Sequence, residues 1–286
     1  MQRSVRTSVR CKEVADASDP EDNMQYFLIF TLLWAASSNA RDWRTPDEAQ
    51  VTLEYIAHAA FRLVGSQGTS LLVDPYQSRW WIGYDFPSGL PASDAVLLSH
   101  PHPDHDAGYA RGATPPWSDD TRIIDGPGDY TVGAFSIRGI GGRHAEPYGE
   151  EFGRINTIWR IEVAGLRVVH IGDNEPLNAA VAAEIGDVDV IMLPVDDEEH
   201  ILSFEEVERY RRRLKPLVVV PMHYRHDDLE SDPDRPGDLG SVDGWFARQP
   251  DGRQLGTHTI SLSRSALKEL PGVWVLEHSP LVTRAE

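Results

Sequence analysis

The stretch that decides the fold is Val96-Leu-Leu-Ser-His-Pro-His-Pro-Asp-His-Asp-Ala-Gly108. It begins inside the apolar run Ala95 to Leu98, which predicts a buried strand that ends in a loop. The loop carries four side chains that can bind a metal within six residues: His100, His102, Asp104 and His105. Neutral imidazoles and ionised carboxylates are ligands of Zn²⁺, and catalytic zinc sites leave one coordination position for water. The stretch therefore predicts a metal centre at a strand end, with a His-rich surface loop that binds metal incidentally as the alternative.

The pattern His100-x-His102-x-Asp104-His105 resembles the signature of the metallo-β-lactamase superfamily. The resemblance implies an α+β fold, the four-layer αβ/βα sandwich of two mixed sheets flanked by helices, with one or two metals at the edge of the paired sheets. That family also needs a later His, a metal-bridging Asp after a strand and a last His after another strand. The sequence offers these in the same order: His144, Asp173 and His223. The likeness covers roughly residues 50 to 225 and disfavours the incidental surface loop.

The ligand assignment is likewise what the resemblance implies. One metal would take His100, His102 and His144; the second would take Asp104, His105 and His223, with Asp173 bridging the two. Two Zn²⁺ ions per chain are expected, with Mn²⁺ or Fe²⁺ as alternatives, because imidazole and carboxylate suit several metals. A water held by such metals ionises near neutral pH, since its pKa falls from roughly 15.7 to about 7. Asp104 is expected to act in catalysis by orienting that water or accepting its proton.

Within the superfamily the likeness is closer to the UlaG-like and phospholipase-D-like metal-dependent hydrolases. It rests on His58-Ala59 before an apolar strand, Asp74-Pro75 after a strand, Gly172-Asp173 and Pro221 to Tyr224. His58 is expected at the mouth of the site, in substrate contact or proton transfer; the alternative is an exposed turn residue. Asp74 is expected to accept a hydrogen bond from a metal-bound imidazole, with a turn cap as its alternative.

The sequence departs from these relatives at two places. Ala57 stands where a glycine usually precedes the early His, and Asp196-Asp197 stand where small residues are common. Neither departure affects the expected fold, but both make it unsafe to transfer a substrate from any relative.

The expected activity is hydrolysis, in which a metal-bound hydroxide attacks an ester, lactone, amide or lactam, or phosphodiester bond of a small molecule. The alternative is an iron-dependent oxidoreductase or dioxygenase on the same fold. His102 disfavours it, because di-iron redox relatives commonly carry Glu at that position. With 27 basic and 45 acidic residues the net charge is −18, which repels phosphate backbones, so no nucleic-acid partner is expected. The sequence does not predict an oligomeric state.

Residues 1–48 are expected to form a disordered N-terminal segment ahead of a hydrolase domain at 49–286. Within that segment the hydrophobic run 24–36 precedes Ser38-Asn39-Ala40 and suits a secretory signal. A bilayer needs about 20 apolar residues, so this run predicts no transmembrane span, and none is expected in the mature domain. The alternative for this run is an N-terminal helix or strand packed on the domain, and export is slightly favoured over a cytoplasmic location. Cys11 is the only cysteine, which excludes an intramolecular disulfide.

Periodicity and turn residues predict the remaining elements. The domain should open with a β-meander over 51–56, 60–64 and 70–73. Strands at 121–124, 130–139, 157–163 and 166–171 are predicted to form a second sheet. Helices are predicted at 106–111, 176–185 and 204–214, and a loop at 225–256. Two further segments, 257–262 and 273–276, are predicted as edge strands. The aromatic segment 77–90 should pack onto the core, or else wall the substrate site. Surface positions are favoured for Tyr148 and Asn156 over substrate contacts, and His170 is read as packed in its sheet or as supporting a ligand, rather than as a direct ligand.

Overall fold

The computed structural model describes residues 51–79, 81–109, 115–147, 150, 153–196, 200–229 and 239–285. The predictions made for residues 1–48, and those made for Tyr148 and Asp197, lie outside the described residues. No helix in the described ranges is long and apolar enough to cross a membrane.

The first sheet has six strands in the order β14-β1-β2-β3-β5-β6. Their bounds are β1 Val51–Ala57, β2 Ala60–Gly65, β3 Ser70–Val73, β5 Ala95–Leu97, β6 Arg122–Ile124 and β14 Thr259–Leu262. β1, β2 and β3 pair antiparallel, which confirms the predicted meander, whereas β3, β5 and β6 run parallel. β6 was predicted for the second sheet, and that assignment is wrong: its register with β5 places it in the first. β4 (Tyr84–Asp85) pairs separately with β16 (Thr283–Arg284).

The second sheet has eight strands in the order β13-β15-β12-β11-β10-β9-β8-β7. Their bounds are β7 Gly128–Val132, β8 Phe135–Arg143, β9 Ile155–Val163, β10 Leu166–His170, β11 Val190–Pro194, β12 Val218–Met222, β13 Gly252–Gln254 and β15 Gly272–Val275. β10, β11 and β12 run parallel and are linked through helices. β15 lies between β12 and β13, so its prediction as an edge strand is wrong. The predicted loop 225–256 likewise contains β13 and a short helix, α3 (Asp243–Phe246).

The core lies between the two sheets because the first sheet alternates its side chains. Leu53, Phe61 and Val73 face the second sheet and join one continuous apolar cluster with its strands and helices. The intervening residues, such as Leu72 and Val96, bury the opposite face. Within the described ranges irregular segments cover that face, and Tyr84 and Phe86 of the aromatic segment pack there. The α+β sandwich of two mixed sheets is thus confirmed.

The helices form where capping residues allow them. α1 (Ala179–Ile185) begins three residues later than predicted because Asn178 caps the amide of Val181. α2 (Phe204–Leu214) has the predicted bounds and opens with a capping box between Ser203 and Glu206. α4 (Arg264–Glu269) is a further short helix. Residues 106–109 form turns rather than the predicted helix, since the Asp106 carboxylate accepts the amide hydrogen of Gly108 at 2.9 Å.

Candidate metal centre

The candidate site lies where several strands end. Asp74 follows β3, Ser99 to His105 follow β5, Asp173 follows β10, Asp196 follows β11 and His223 follows β12. Because the carboxyl ends of neighbouring parallel strands meet at one edge of a sheet, loops distant in sequence converge there. His144 comes in from the end of β8, where it bridges to Asn174.

Three residues near the candidate site have left-handed backbone conformations. The φ angles are 56° at His58, 45° at Asp74 and 62° at His223. Such a conformation costs a residue with a side chain about 1–2 kcal/mol, and strain of this kind concentrates at functional sites. His58 follows β1, Asp74 follows β3 and His223 follows β12, so each of these conformations stands directly after a strand.

The carboxylate of Asp173 stands at the centre of four imidazoles. Its Oδ2 lies 3.3 Å from Nε2 of His105 and 3.3 Å from Nε2 of His223. The same oxygen lies 3.5 Å from Nε2 of His144 and 3.8 Å from Nε2 of His100. One carboxylate thus faces histidines of both predicted ligand sets, which is the position that a bridging ligand requires.

The remaining donors form two groups on either side of Asp173. His100, His102 and His144 form one group, and Asp104, His105 and His223, with His58, form the other. Within each group one potential ligand atom per residue lies within 4.8 Å of the others. In the first, Nε2 of His100 is 3.1 Å from Nδ1 of His102. In the second, Oδ2 of Asp104 is 3.6 Å from Nε2 of His105 and 3.8 Å from Nε2 of His223.

Four of the atoms that point into the site lack hydrogen-bond partners among the described residues. Nε2 of His105, His144 and His223 and Oδ1 of Asp173 are all buried, and none has a partner among the described residues. Buried polar atoms in native proteins are nearly always paired with protein, water or an ion. Converging imidazole nitrogens and a carboxylate are the donors that Zn²⁺ and similar cations take. The residues present therefore fit a metal.

The other ring nitrogen of each of these three histidines, Nδ1, has a hydrogen-bond partner. Nδ1 of His105 donates to Oδ2 of Asp74 at 2.8 Å, and Nδ1 of His144 donates to the carbonyl of Ala145 at 2.7 Å. Nδ1 of His223 lies 3.2 Å from Oδ2 of Asp196. Such partners fix the tautomer that leaves Nε2 free for a metal and raise its basicity.

Ser99 extends the hydrogen bonding of Asp74 to a second imidazole. Its amide and hydroxyl donate to the two carboxylate oxygens of Asp74 at 2.8 and 2.5 Å. Because the hydroxyl hydrogen is used there, Oγ accepts from Nδ1 of His100 at 2.9 Å. Asp74 thus orients His105 directly and His100 through Ser99, and these two imidazoles belong to different ligand groups.

Charge in the site is balanced between carboxylates and imidazoles. Burial alone would raise the pKa values of Asp104 and Asp173, but His105 and neighbouring imidazoles hold both well below their usual range. Burial alone would lower the pKa of His105, but Asp173 and Asp104 raise it to about 10. The pKa of His223 is likewise raised, against burial, mainly by Asp173. Protons on these two imidazoles therefore offset the carboxylates, and a bound cation would replace them.

His58 lies beside the ligands rather than at the mouth of the site. Its side chain is fully buried, and Nε2 is 3.1 Å from Oδ2 of Asp104. Burial and the neighbouring His223 lower its pKa to about 3, so the ring is neutral. Its carbonyl accepts from the amide of His223 at 2.9 Å. The expectation of a position at the mouth, and its alternative of an exposed turn residue, are both corrected by this burial.

His170 and Asn156 are buried, and both make hydrogen bonds near the candidate site. Nε2 of His170 lies 2.9 Å from the carbonyl of Ala59 and links the two sheets, so it packs in its sheet as predicted. Asn156, expected at the surface, is 1% exposed. Its Oδ1 accepts from the amide of Asp173 at 3.2 Å, and its Nδ2 donates to the carbonyl of Ile171 at 3.0 Å. The alternation of β9 gave no signal for this burial, because Asn156 lies on the same face of the strand as Arg160 and Glu162.

The indole of Trp81 borders the group formed by Asp104, His105 and His223 with His58. Trp81 is 36% exposed, its ring meets that of His58 edge-on at 6.0 Å, and it stacks on His200 at 5.5 Å. The His200 ring in turn lies 5.3 Å from that of His223. His200 carries no motif and was missed from the sequence, because only its tertiary contacts place it here. Trp81 and His200 form an aromatic wall beside the candidate metal ligands.

Comparisons with known proteins agree with this fold and site. A family model described as a β-lactamase superfamily domain matches residues 52–223. A UPF0173 metal-dependent hydrolase from Methanosphaera stadtmanae is 24% identical over 236 residues, which cover 73% of this chain and 95% of that protein.

Two solved structures share the fold. A Thermotoga maritima protein described as a Zn-dependent hydrolase of the metallo-β-lactamase superfamily superposes with a TM-score of 0.59 at 24% identity, covering 80% of this chain and all of the other. CmlA, a diiron β-hydroxylase from Streptomyces venezuelae, superposes with a TM-score of 0.50 at 16% identity, covering 85% and 55% of the two chains. At these identities the likeness concerns the fold alone.

Proposed function

The chain belongs to the β-lactamase superfamily, and from this premise we propose that it is a hydrolase working with two divalent cations, Zn²⁺ in the first place. The curated relatives that the chain matches are named metal-dependent hydrolases, which supports this activity. One observation carries the proposal of two metals. Asp173 Oδ2 lies within 3.8 Å of four imidazole nitrogens that belong to two separate ligand groups.

The proposed role of each residue follows from its position in the site. His100, His102 and His144 would hold one cation; Asp104, His105 and His223 would hold the other, and Asp173 would bridge them. When bound, divalent cations lower the pKa of a coordinated water to about 7 and polarise the bond to be cleaved. Asp104 would accept the proton of the attacking water. His58, 3.1 Å from Oδ2 of Asp104, stabilises and orients that carboxylate.

The substrate would be a small molecule with an ester, lactone, amide or lactam, or phosphodiester bond. Trp81 and His200 offer it a stacked aromatic surface next to His223. Such a wall suits a substrate with an apolar or planar group beside the scissile bond. The net charge of −18 opposes the approach of a long polyanion. An iron-dependent oxidoreductase is the second candidate, because the same donors suit iron.

The test combines metal content with activity. Elemental mass spectrometry on the purified protein should find about two zinc ions per chain. Hydrolysis of a chromogenic ester, lactone, β-lactam or phosphodiester should vanish on chelation and return with added Zn²⁺. His223→Ala should abolish it, whereas His258→Ala, which removes a histidine outside the ligand groups, should not.

The opposing outcomes are distinct. Iron in place of zinc, with oxygen consumption and no hydrolysis, would favour the oxidoreductase. A folded protein that takes up no metal, or equal loss of activity in both variants, would contradict a metal-dependent role of His223.

A further inference from the structure

A second cleft opens at the end of the parallel strands opposite the metal centre. It has a volume of about 790 Å³ and is bordered by the ends of α1 and α2, by α4 and by the residues that precede β11 and β12. Six cationic side chains line it: Arg167, Arg212, Arg213, Lys215, Arg264 and Lys268. The candidate ligands follow the carboxyl ends of β10 and β12, whereas this cleft lies at their amino ends. The two sites are therefore separate.

Four of the six cations are not neutralised by any residue that the structure describes. Arg167 and Arg264 both bind Asp189, and Arg167 also binds Asp187. The side chains of the other four make no ion pair or hydrogen bond with any described residue, and the only further described Lys or Arg of which this holds is Arg209. Apart from Arg209, the described Lys and Arg side chains outside the cleft have partners; Arg211, for example, binds Asp251 at 2.9 Å.

The local charge is opposite to that of the whole chain. Six cations and two carboxylates, Asp187 and Asp189, give the lining a net charge of +4, while the whole chain carries −18. α1 and α2 both end at the cleft, and each helix C-terminus contributes about −0.5 charge. The lining therefore keeps an excess of about three positive charges after both helix ends are counted.

The need to neutralise a helix end does not account for this arrangement. Arg212 and Arg213 lie in the last turn of α2, where cations are favourable. Lys268, however, comes from α4, and Arg167 from β10. Cations that converge from three separate elements on one cavity point to a common counter-ion.

We propose that this cleft binds a small anion that carries two or more linked phosphate groups. Four unpaired cations match the charge of an oligophosphate rather than that of a single carboxylate, and Arg and Lys are the side chains that bind phosphate best. The cavity volume is that of a small-molecule site. A long polyanion would extend beyond the cleft over the acidic surface. A small anion would stay within about 8 Å of the cationic side chains, the distance beyond which salt screens exposed charges at physiological ionic strength.

The experiment measures binding of two probes, inorganic tripolyphosphate and ATP, by isothermal titration calorimetry on the purified, metal-containing protein. Arg213→Glu and Lys268→Glu should each weaken binding by about tenfold or more, because a charge-assisted hydrogen bond is lost and a like charge added. Arg209→Glu is the matched control: it makes the same change of net charge, on α2, at an unpaired arginine outside the cleft. It should change binding by no more than about twofold.

The outcomes separate this site from the metal centre. Equal affinities for the two probes would assign the cleft to the phosphate chain alone, and tighter ATP binding would assign it to a nucleotide; both support the proposal. Binding that is unchanged in the two cleft variants would place the anion elsewhere, for example at the metals, and overturn it. Equal weakening in all three variants, or no binding of either probe at millimolar concentration, would overturn it as well. All three substituted residues are exposed, so the variants should fold, which circular dichroism checks.

Discussion

Oδ2 of Asp74 lies 2.8 Å from Nδ1 of His105, and neither side chain is exposed to solvent. The pair joins the end of β3 to the loop after β5, and Ser99 extends it to His100. A residue outside the candidate ligand groups thereby orients one imidazole of each.

Asp74→Asn should lower metal affinity by about 10- to 100-fold, since Asp74 accepts hydrogen bonds on both carboxylate oxygens, whereas the amide keeps one acceptor oxygen and no charge. Competition with a chromophoric chelator measures this. Asp94→Asn is the control, because Asp94 accepts from the amide of Ser70 at 2.8 Å away from the ligands. Equal metal affinity in the two variants would show that Asp74 has no part in orienting the ligands.

Asp196→Asn should affect only one of the two proposed metals. Asp196 Oδ2 lies 3.2 Å from Nδ1 of His223 and supports no residue of the group formed by His100, His102 and His144. Metal content after dialysis should therefore fall from about two ions to about one, a loss confined to the group that the supporting carboxylate orients. Asp187→Asn, at an exposed carboxylate, should retain both ions. Loss of both ions from Asp196→Asn would mean that the two groups bind as one unit.

Gly172→Ala should disrupt the segment that carries Asp173. Gly172 has a φ of +57°, and a Cβ there would lie 2.4 Å from Oδ1 of Asn156 and 2.7 Å from Cβ of Ser99. The left-handed backbone costs about 1–2 kcal/mol, and overpacking adds about 1–3 kcal/mol. Gly165→Ala, with a φ of +74° and open space around it, should show the backbone cost alone. Urea unfolding measures the difference, and equal losses would contradict the predicted clash.

His226→Gln should make stability less dependent on acid pH. Burial and the neighbouring His278 lower the pKa of His226 from 6.5 to about 3. The folded chain therefore keeps this imidazole neutral below pH 6.5, while the unfolded chain takes up a proton. As pH falls from about 6.5 towards 3, this group removes about 1.4 kcal/mol of stability per pH unit.

The difference appears in the free energy of unfolding of chelated protein at pH 7.5 and 5.5. His226→Gln should lose about 1.4 kcal/mol less than the unsubstituted chain between these values. Comparing the change with pH, rather than absolute stability, separates it from the lost hydrogen bond between His226 and the Tyr55 hydroxyl. Identical changes in the two proteins would rule out a buried neutral His226.

The candidate ligand set could be picked out from the sequence because its members stand at strand ends. Four of the seven lie within six consecutive residues, and the others each follow an apolar strand. The supporting residues were harder to read. Asp196 appeared only as a departure from relatives, since its partner His223 is 27 positions away. Asn156 was expected at the surface, although it holds the amide of Asp173.

The sequence by itself determined the order of strands and loops and the chemistry at the strand ends. Apolar periodicity is local, and it sets which residues enter a sheet and which follow it. Only the tertiary structure decided which nitrogen of each imidazole faces the site and which carboxylate supports it. It alone decided that four cations near α2 and α4 remain unpaired among the described residues. These properties arise from contacts between distant segments, because pairing and burial depend on which strands become neighbours in the sheets.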